Sequence, residues 1–271
     1  MTADGSNRYT HGHHDSVLRS HRRRTAENSA GYLLPHLRPG MDLLDVGCGP
    51  GTITVDLARR VAPGRVLGID AAAAPLDEAR AAARGMANVA FAQEDLYRLD
   101  GLETSFGGFD VVHAHQVLQH VSDPVAALAR MRRVVRPGGL VAARDADYAA
   151  MTWFPHDERL DAWLDVYRRV ARGNDAEPDA GRALLAWARA AGFTQVTPSA
   201  SVWCYATPDE RAWWGGMWAD RIRSSAVAEQ AVDRGLATRD DLAAMSAAWR
   251  EWAAHPDGWF TVLNGEILAR G

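Results

Sequence analysis

At 271 residues and 47% hydrophobic, the chain can bury one large core, or one core with a smaller annex, and is too apolar to stay disordered. Thirty basic residues against 34 acidic give a formal charge of −4, which argues against the strongly basic field of a nucleic-acid binder. No apolar run reaches the roughly 20 residues that cross a bilayer, and the polar start MTADGSNRYTHGHH lacks the apolar segment of a secretory leader, so a cytoplasmic protein is expected.

In chain order, YTHGHHDSVLRSHRRRTAENSAGYLL comes first, where the spacing of Leu18, Arg22, Thr25, Ala26 and Ser29 predicts an amphipathic helix with a basic run, HRRR, at 21–24. Five β-like runs then alternate with helical patterns: MDLLDVG (41–47), RVLGID (65–70), NVAFAQED (88–95), FDVVHA (109–114) and GLVAARD (139–145). That alternation predicts a parallel sheet covered by helices. Beyond residue 146, Leu160, Trp163, Leu164, Tyr167 and Val170 form a helical stripe that reads as an insertion. DAGRALLAWARAAGF reads as a helix closed by Gly192, and FTQVTPSASVWCYA and GWFTVLNGEILARG as closing strands. Between those strands, Thr207, Pro208 and Glu210, and then Thr238 with Asp241, mark two capped helix starts in a second insertion. The expected organisation is a helical cap over 1–38, a cofactor-binding core over 39–145, and a helical lid with the closing strands over 146–271. Cys48 and Cys204 are too few and too scattered for a disulfide framework or a structural metal site, and neither is expected.

The stretch LLDVGCGPGTIT (43–54) ends a strand in a carboxylate and then in Gly47, Gly49 and Gly51. Glycines between a strand and a helix start bring backbone N–H groups close to a ligand. The dinucleotide fingerprint has its third glycine where Thr52 stands, and a chain without lysine cannot form a phosphate-binding P-loop. Asp70, 19 residues after Gly51 at the end of the second strand, suits both hydroxyls of a ribose. Asp95 ends the third strand, where it suits an adenine amino group or a helix cap. Three strand-end carboxylates favour an adenosine ligand without pyrophosphate.

D-x-G-x-G-x-G, GID, QEDL, FDVVHAHQVLQHVSDP and RPGGLV, in this order over about residues 40–145, resemble the class I S-adenosylmethionine-dependent methyltransferases, nearest to the ubiquinone and menaquinone biosynthesis group. The resemblance implies a Rossmann-like doubly wound α/β fold with a mainly parallel, seven-stranded sheet whose last strand is antiparallel. It implies that Gly47, Gly49 and Gly51 approach the methionine and ribose portions, that Asp45 orders the turn, and that Asp70, with Ala71 beside it, holds the ribose. Asp95 and the Leu96 N–H would take the adenine, and His115 and Gln116 the methionyl ammonium. In relatives the N-terminal region folds over the methionine end, which makes Tyr9, His14, Arg19 and Arg24 candidates to close the site, with an arginine, Arg24 foremost, on the methionyl carboxylate.

Methyl transfer from a sulfonium needs alignment, desolvation and, for weak nucleophiles, a base. HAHQVLQHV supplies His113, His115 and His120 past a strand end; His113 falls inside the strand and reads as structural, leaving His115 and His120 as candidate bases. Arg144, Asp145, Asp147 and Tyr148 end the fifth strand, where they orient a substrate or, for Arg144 and Asp145, pair with each other. Of ten tryptophans, Trp213, Trp214 and Trp218 share a helix face with Met217, Arg221 and Ile222, and Leu242, Met245, Trp249 and Trp252 share another. Core packing is the default for such stripes; three or four tryptophans, together with Tyr148, Trp153 and Phe154, are expected to wall an acceptor pocket.

The reading is therefore an enzyme that binds S-adenosylmethionine, releases S-adenosylhomocysteine, and methylates O, N or C of a small aromatic or hydrophobic metabolite, with no nucleic-acid or membrane partner, no metal, and a homodimer as one assembly to consider. The alternatives are an RNA or protein methyltransferase, a protein that uses the sulfonium without transferring its methyl, as in a cyclisation, and a redox enzyme. Arsenic as acceptor is set aside because it needs several clustered thiolates.

Overall fold

The Leu-Leu-Asp-Val run of β1 (Leu43–Val46) is buried along its whole length, as a strand covered by helices on both faces must be. In the computed structural model, which describes residues 23–99, 101 and 106–271, β1 lies between β2 (Val66–Asp70) and β4 (Phe109–His115), parallel to both. β3 (Val89–Gln93) extends the parallel sheet beyond β2, and β5 (Val135–Ala146) beyond β4. The last strand, β8 (Trp259–Arg270), runs antiparallel to β5 and also pairs with β6 (Thr152–Phe154) and β7 (Val196–Tyr205). The doubly wound fold and the antiparallel last strand match the expectation; the sheet has eight strands among the described residues, the short β6 being the addition.

Helices α1 (Ala26–Ala30) and α2 (Thr52–Val61) cover one face, where Ala26, Ala30, Leu33, Ile53 and Leu57 pack on Leu43, Val111 and Ala142. Between β2 and β3 runs α3 (Ala74–Ala82). On the opposite face α4 (Pro124–Val134), capped by the Asp123 carboxylate on the Ala126 N–H, sets Leu128 and Met131 against Val112, Val141 and Ile267.

The two insertions merge into one core. α5 (Glu158–Arg172) comes from the first, and α7 (Pro208–Ser224), α8 (Ala226–Asp233) and α9 (Arg239–Ala254) from the second; α6 (Leu184–Ala190) lies between them beside α4. The capping boxes at Thr207 with Glu210 and at Thr238 with Asp241 form as their spacing predicts. Trp163 of α5 meets Trp218 of α7 at 4.6 Å and Trp249 of α9 at 4.8 Å between ring centroids, edge to face. Burying three indoles at one junction fixes the lid helices to each other and, through Phe260 of β8, to the sheet.

Candidate active site

Between β1 and α2 the chain turns through Gly47, Gly49 and Gly51 at φ of 67°, 52° and 78°, a left-handed region that side chains disfavour. A Cβ on Gly47 would stand 2.4 Å from Cγ2 of Val117, so the turn and the segment after β4 touch through a bare backbone. Asp70 ties the next strand end to this turn: Oδ2 accepts from the Gly49 N–H at 3.0 Å and Oδ1 from the Ala72 N–H at 2.9 Å. Asp45 is engaged below, accepting from the Thr54 hydroxyl at 2.5 Å and lying 2.7 Å from Nδ1 of the buried His113, the structural role expected of that histidine. Asp95 accepts from the Tyr97 N–H at 2.9 Å as the cap of a short turn at Leu96–Arg98.

Past β4, Gln116 sits at φ 53° with its N–H donating to the Arg144 carbonyl at 2.7 Å, an unusual backbone conformation for this side chain. Its amide oxygen accepts from Nη2 of Arg24 at 2.5 Å. Strand ends, glycine turn and lid enclose one cavity of about 730 Å³. It is lined by Gly47, Gly49, Asp70, Ala71, Asp95, Leu96, His115 and Gln116 at the strand ends and the turns that follow, by Trp203 and Tyr205 of β7, by Trp213, Trp214, Trp218 and Arg221 of α7, and by Arg24, His120 and Tyr148.

Several expected site residues stand elsewhere. Gly51 does not line the cavity; a Cβ there would lie 2.8 Å from that of Ala79, so this glycine lets α2 pack on α3. Asp145 is fully buried and faces the segment after β4, its Oδ1 accepting from the Gln119 N–H at 3.1 Å; it shapes that segment instead of touching a substrate. Trp153 belongs to β6 and stacks on Phe260 at 5.7 Å, outside the cavity lining. Arg144 pairs not with Asp145 but with Glu266, Nε to Oε1 at 3.2 Å, because the two face each other across β5 and β8. Tyr9, His14 and Arg19 lie outside the described residues.

His115 and His120 both line the cavity. Burial, with the Arg24 and Arg221 cations adding to it, holds His120 down to about 3. Gln119 takes the Ala146 N–H on its amide oxygen at 3.1 Å and so turns its NH2 toward Nε2 of His120 at 3.0 Å. A ring that accepts on Nε2 carries its proton on Nδ1, and so weak a base is ill suited to deprotonate a substrate. His115, its ring 5.7 Å from Trp203, keeps that candidacy.

The four cavity tryptophans are Trp203, Trp213, Trp214 and Trp218. The sequence marks Trp203 and Tyr205 only weakly, by a two-residue spacing that puts them on one face of a strand. Arg221 stands out in the sequence only as an arginine on an apolar helix face.

A family model described as a methyltransferase domain, Methyltransf_31, matches residues 37–196. The chain belongs to this methyltransferase family. It is an S-adenosylmethionine-dependent methyltransferase, as the class I motifs implied. This methyltransferase is 32% identical to an uncharacterized methyltransferase of Schizosaccharomyces pombe over 96% of its own length and 95% of the relative's. A protein of Aspergillus luteorubrus named as a probable methyltransferase is 30% identical over 97% of each chain. Among solved structures, the YcgJ protein of Bacillus subtilis superposes with a TM-score of 0.57 at 18% identity, covering 90% of this chain and 98% of that one, a likeness of fold. Among the described residues, no helix of the methyltransferase is long and apolar enough to cross a membrane.

Proposed function

We propose that this methyltransferase holds S-adenosylmethionine across the ends of β1, β2 and β3 and methylates O, N or C of a small, flat or hydrophobic acceptor enclosed by the lid. The observation that carries the reading is that one cavity joins the glycine turn and strand-end carboxylates to a wall of aromatic rings. The residues suit the cofactor: Gly47 and Gly49 carry no side chain to hold a ligand away, and Asp70, tied to the turn through the Gly49 and Ala72 N–H groups, sets its carboxylate in the cavity wall.

When bound, S-adenosylmethionine supplies an electrophilic methyl on a sulfonium. Asp70, with Ala71 alongside, takes the ribose, Asp95 and the Leu96 N–H the adenine, and His115 and Gln116 the methionyl ammonium. Arg24, already fixed on Gln116, takes the methionyl carboxylate. Residues 39–145 thereby serve the cofactor, and 146–271 the acceptor. The tryptophans exclude water and orient the acceptor. For an acceptor that must lose a proton, His115 is the assigned base.

Calorimetric titration with S-adenosylhomocysteine should give one site per chain, and a labelled-methyl screen of metabolite extract should yield a small labelled product. Binding of a nicotinamide dinucleotide in its place would establish a redox enzyme. Cofactor binding with label on no acceptor would leave a sulfonium binder without transfer, and label on RNA or protein would move the acceptor class.

A further inference from the structure

A chain of amides leads from the core of the sheet to the cofactor end of the cavity. Asn264 of β8 is fully buried, in register with Ala146 of β5 and Ser201 of β7, where a polar side chain is costly unless it is bonded. Its Nδ2 donates to the Val262 carbonyl at 3.1 Å, and its Oδ1 accepts from Nε2 of Gln116 at 3.5 Å. The Gln116 amide oxygen accepts in turn from Nη2 of Arg24. A carbonyl only accepts and a guanidinium only donates, so the two ends of this chain fix the orientation of both amides between them. Turned over, Gln116 would set its NH2 group against the Arg24 guanidinium and its oxygen against the oxygen of Asn264. Gln116 and Arg24 line the cavity, whereas Asn264 is not among the lining residues.

We propose that Asn264 is a positioning residue for the amino-acid end of the cofactor, acting through the Gln116 amide on Arg24. The proposal rests on the assignment of Gln116 and Arg24 to the methionyl ammonium and carboxylate. The terminal torsion of a glutamine is broad, and the backbone bond from the Gln116 N–H to the Arg144 carbonyl does not set which way the amide points. Asn264 does so from behind. Without it, Arg24 loses an acceptor of fixed direction, and the methionyl ammonium meets an amide that can present its NH2 group, a donor facing a donor. Asp70 and Asp95, assigned to the ribose and adenine, stand at the ends of other strands.

The full chain is titrated by calorimetry with S-adenosylhomocysteine and with 5′-methylthioadenosine, which keeps the adenosine and the sulfur and has no amino-acid end. Asn264→Leu, which removes the amide at similar size, should weaken S-adenosylhomocysteine about three- to ten-fold, the worth of one hydrogen bond, and leave 5′-methylthioadenosine unchanged. Asn264→Asp, whose carboxyl accepts from the Gln116 NH2 group whether or not it is ionised, should keep most of the affinity. An Asn264→Asp loss as large as that of Asn264→Leu, equal loss of both ligands, or no loss of either overturns the proposal and leaves the cofactor reading in place. Should Asn264→Leu not fold, hydrogen exchange of the Gln116 side-chain amide in the S-adenosylhomocysteine complex of the unaltered protein decides: one protected NH2 hydrogen is expected, and rapid exchange of both overturns the positioning role. Failure of S-adenosylhomocysteine to bind the unaltered protein takes down the methyl-transfer reading, and this proposal with it.

Discussion

The side-chain amide of Gln119 stands 3.0 Å from Nε2 of His120, and its orientation decides which nitrogen of that ring carries the proton. The Ala146 N–H occupies the amide oxygen, so the NH2 group must be the one facing the ring. From pH 5 to 8, ¹⁵N spectra should therefore show a neutral His120 protonated on Nδ1, in keeping with a pKa held down to about 3. In Gln119→Glu the carboxylate cannot donate to Nε2; the proton should move there and the ring should titrate nearer to neutrality. An Nε2-protonated ring in the unaltered protein would overturn this orientation of the Gln119 amide.

Asp70→Ala tests the cofactor end. It deletes an acceptor whose two oxygens are shared with the Gly49 and Ala72 N–H groups, and a hydrogen-bonded carboxylate of this kind is worth about 1–3 kcal/mol to a bound ligand. S-adenosylhomocysteine affinity should fall by that amount in calorimetry, with a smaller loss in Asp70→Asn, which retains one acceptor. Unchanged affinity in the alanine variant would mean that the ribose is held elsewhere.

The sheet and the cofactor end were legible in the sequence because strand and glycine-turn chemistry is local: Asp70 and Asp95 each close a strand run, and Gly47 and Gly49 sit in a turn whose φ values only glycine tolerates easily. The lid end was less legible, since its chemistry depends on which face of each element meets the cavity. Asp145 and Tyr148 are three residues apart, yet one is sealed behind the segment after β4 and the other lines the cavity, a distinction set by the pairing of β5 with β8. Trp153 and Trp214 are both indoles in the insertions, and their different fates follow from β6 being captured by β8, which stacks Trp153 on Phe260. Arg221 is legible only as a member of its helix stripe, because its place in the lining depends on where α7 crosses the cavity.

Asp145 should make the protein less stable as pH rises. Burial pushes its carboxyl up to about 7, against an ordinary value of 3.8. Between about pH 4 and 7 the unfolded chain gives up a proton that the folded chain retains, so this group's contribution declines across that window and reaches its full cost above it. Asp145→Asn keeps an oxygen for the Gln119 N–H and has nothing to ionise. The Tm of this variant relative to the unaltered protein should rise from pH 5 to about pH 7 and level off above it; a difference independent of pH would show that the carboxyl does not titrate in that range.

Asp42 should have the opposite pH dependence. At the start of β1 its Oδ2 accepts from Nη2 of Arg65 at 2.7 Å and from Nη2 of Arg136 at 2.9 Å, and its Oδ1 accepts from the Arg65 N–H at 3.0 Å. These donors lower its pKa from 3.8 to about 2, the Arg65 guanidinium contributing most. A depressed carboxyl stabilises the fold fully above its unfolded value, and that gain is lost as pH falls from about 4 to 2. Asp42→Asn should cost about 2 kcal/mol in denaturant unfolding at pH 7, by the relation of about 1.4 kcal/mol per pKa unit, and far less at pH 2.5. An equal loss at both pH values would assign the effect to packing at the strand start, because only the ionised carboxylate can distinguish them.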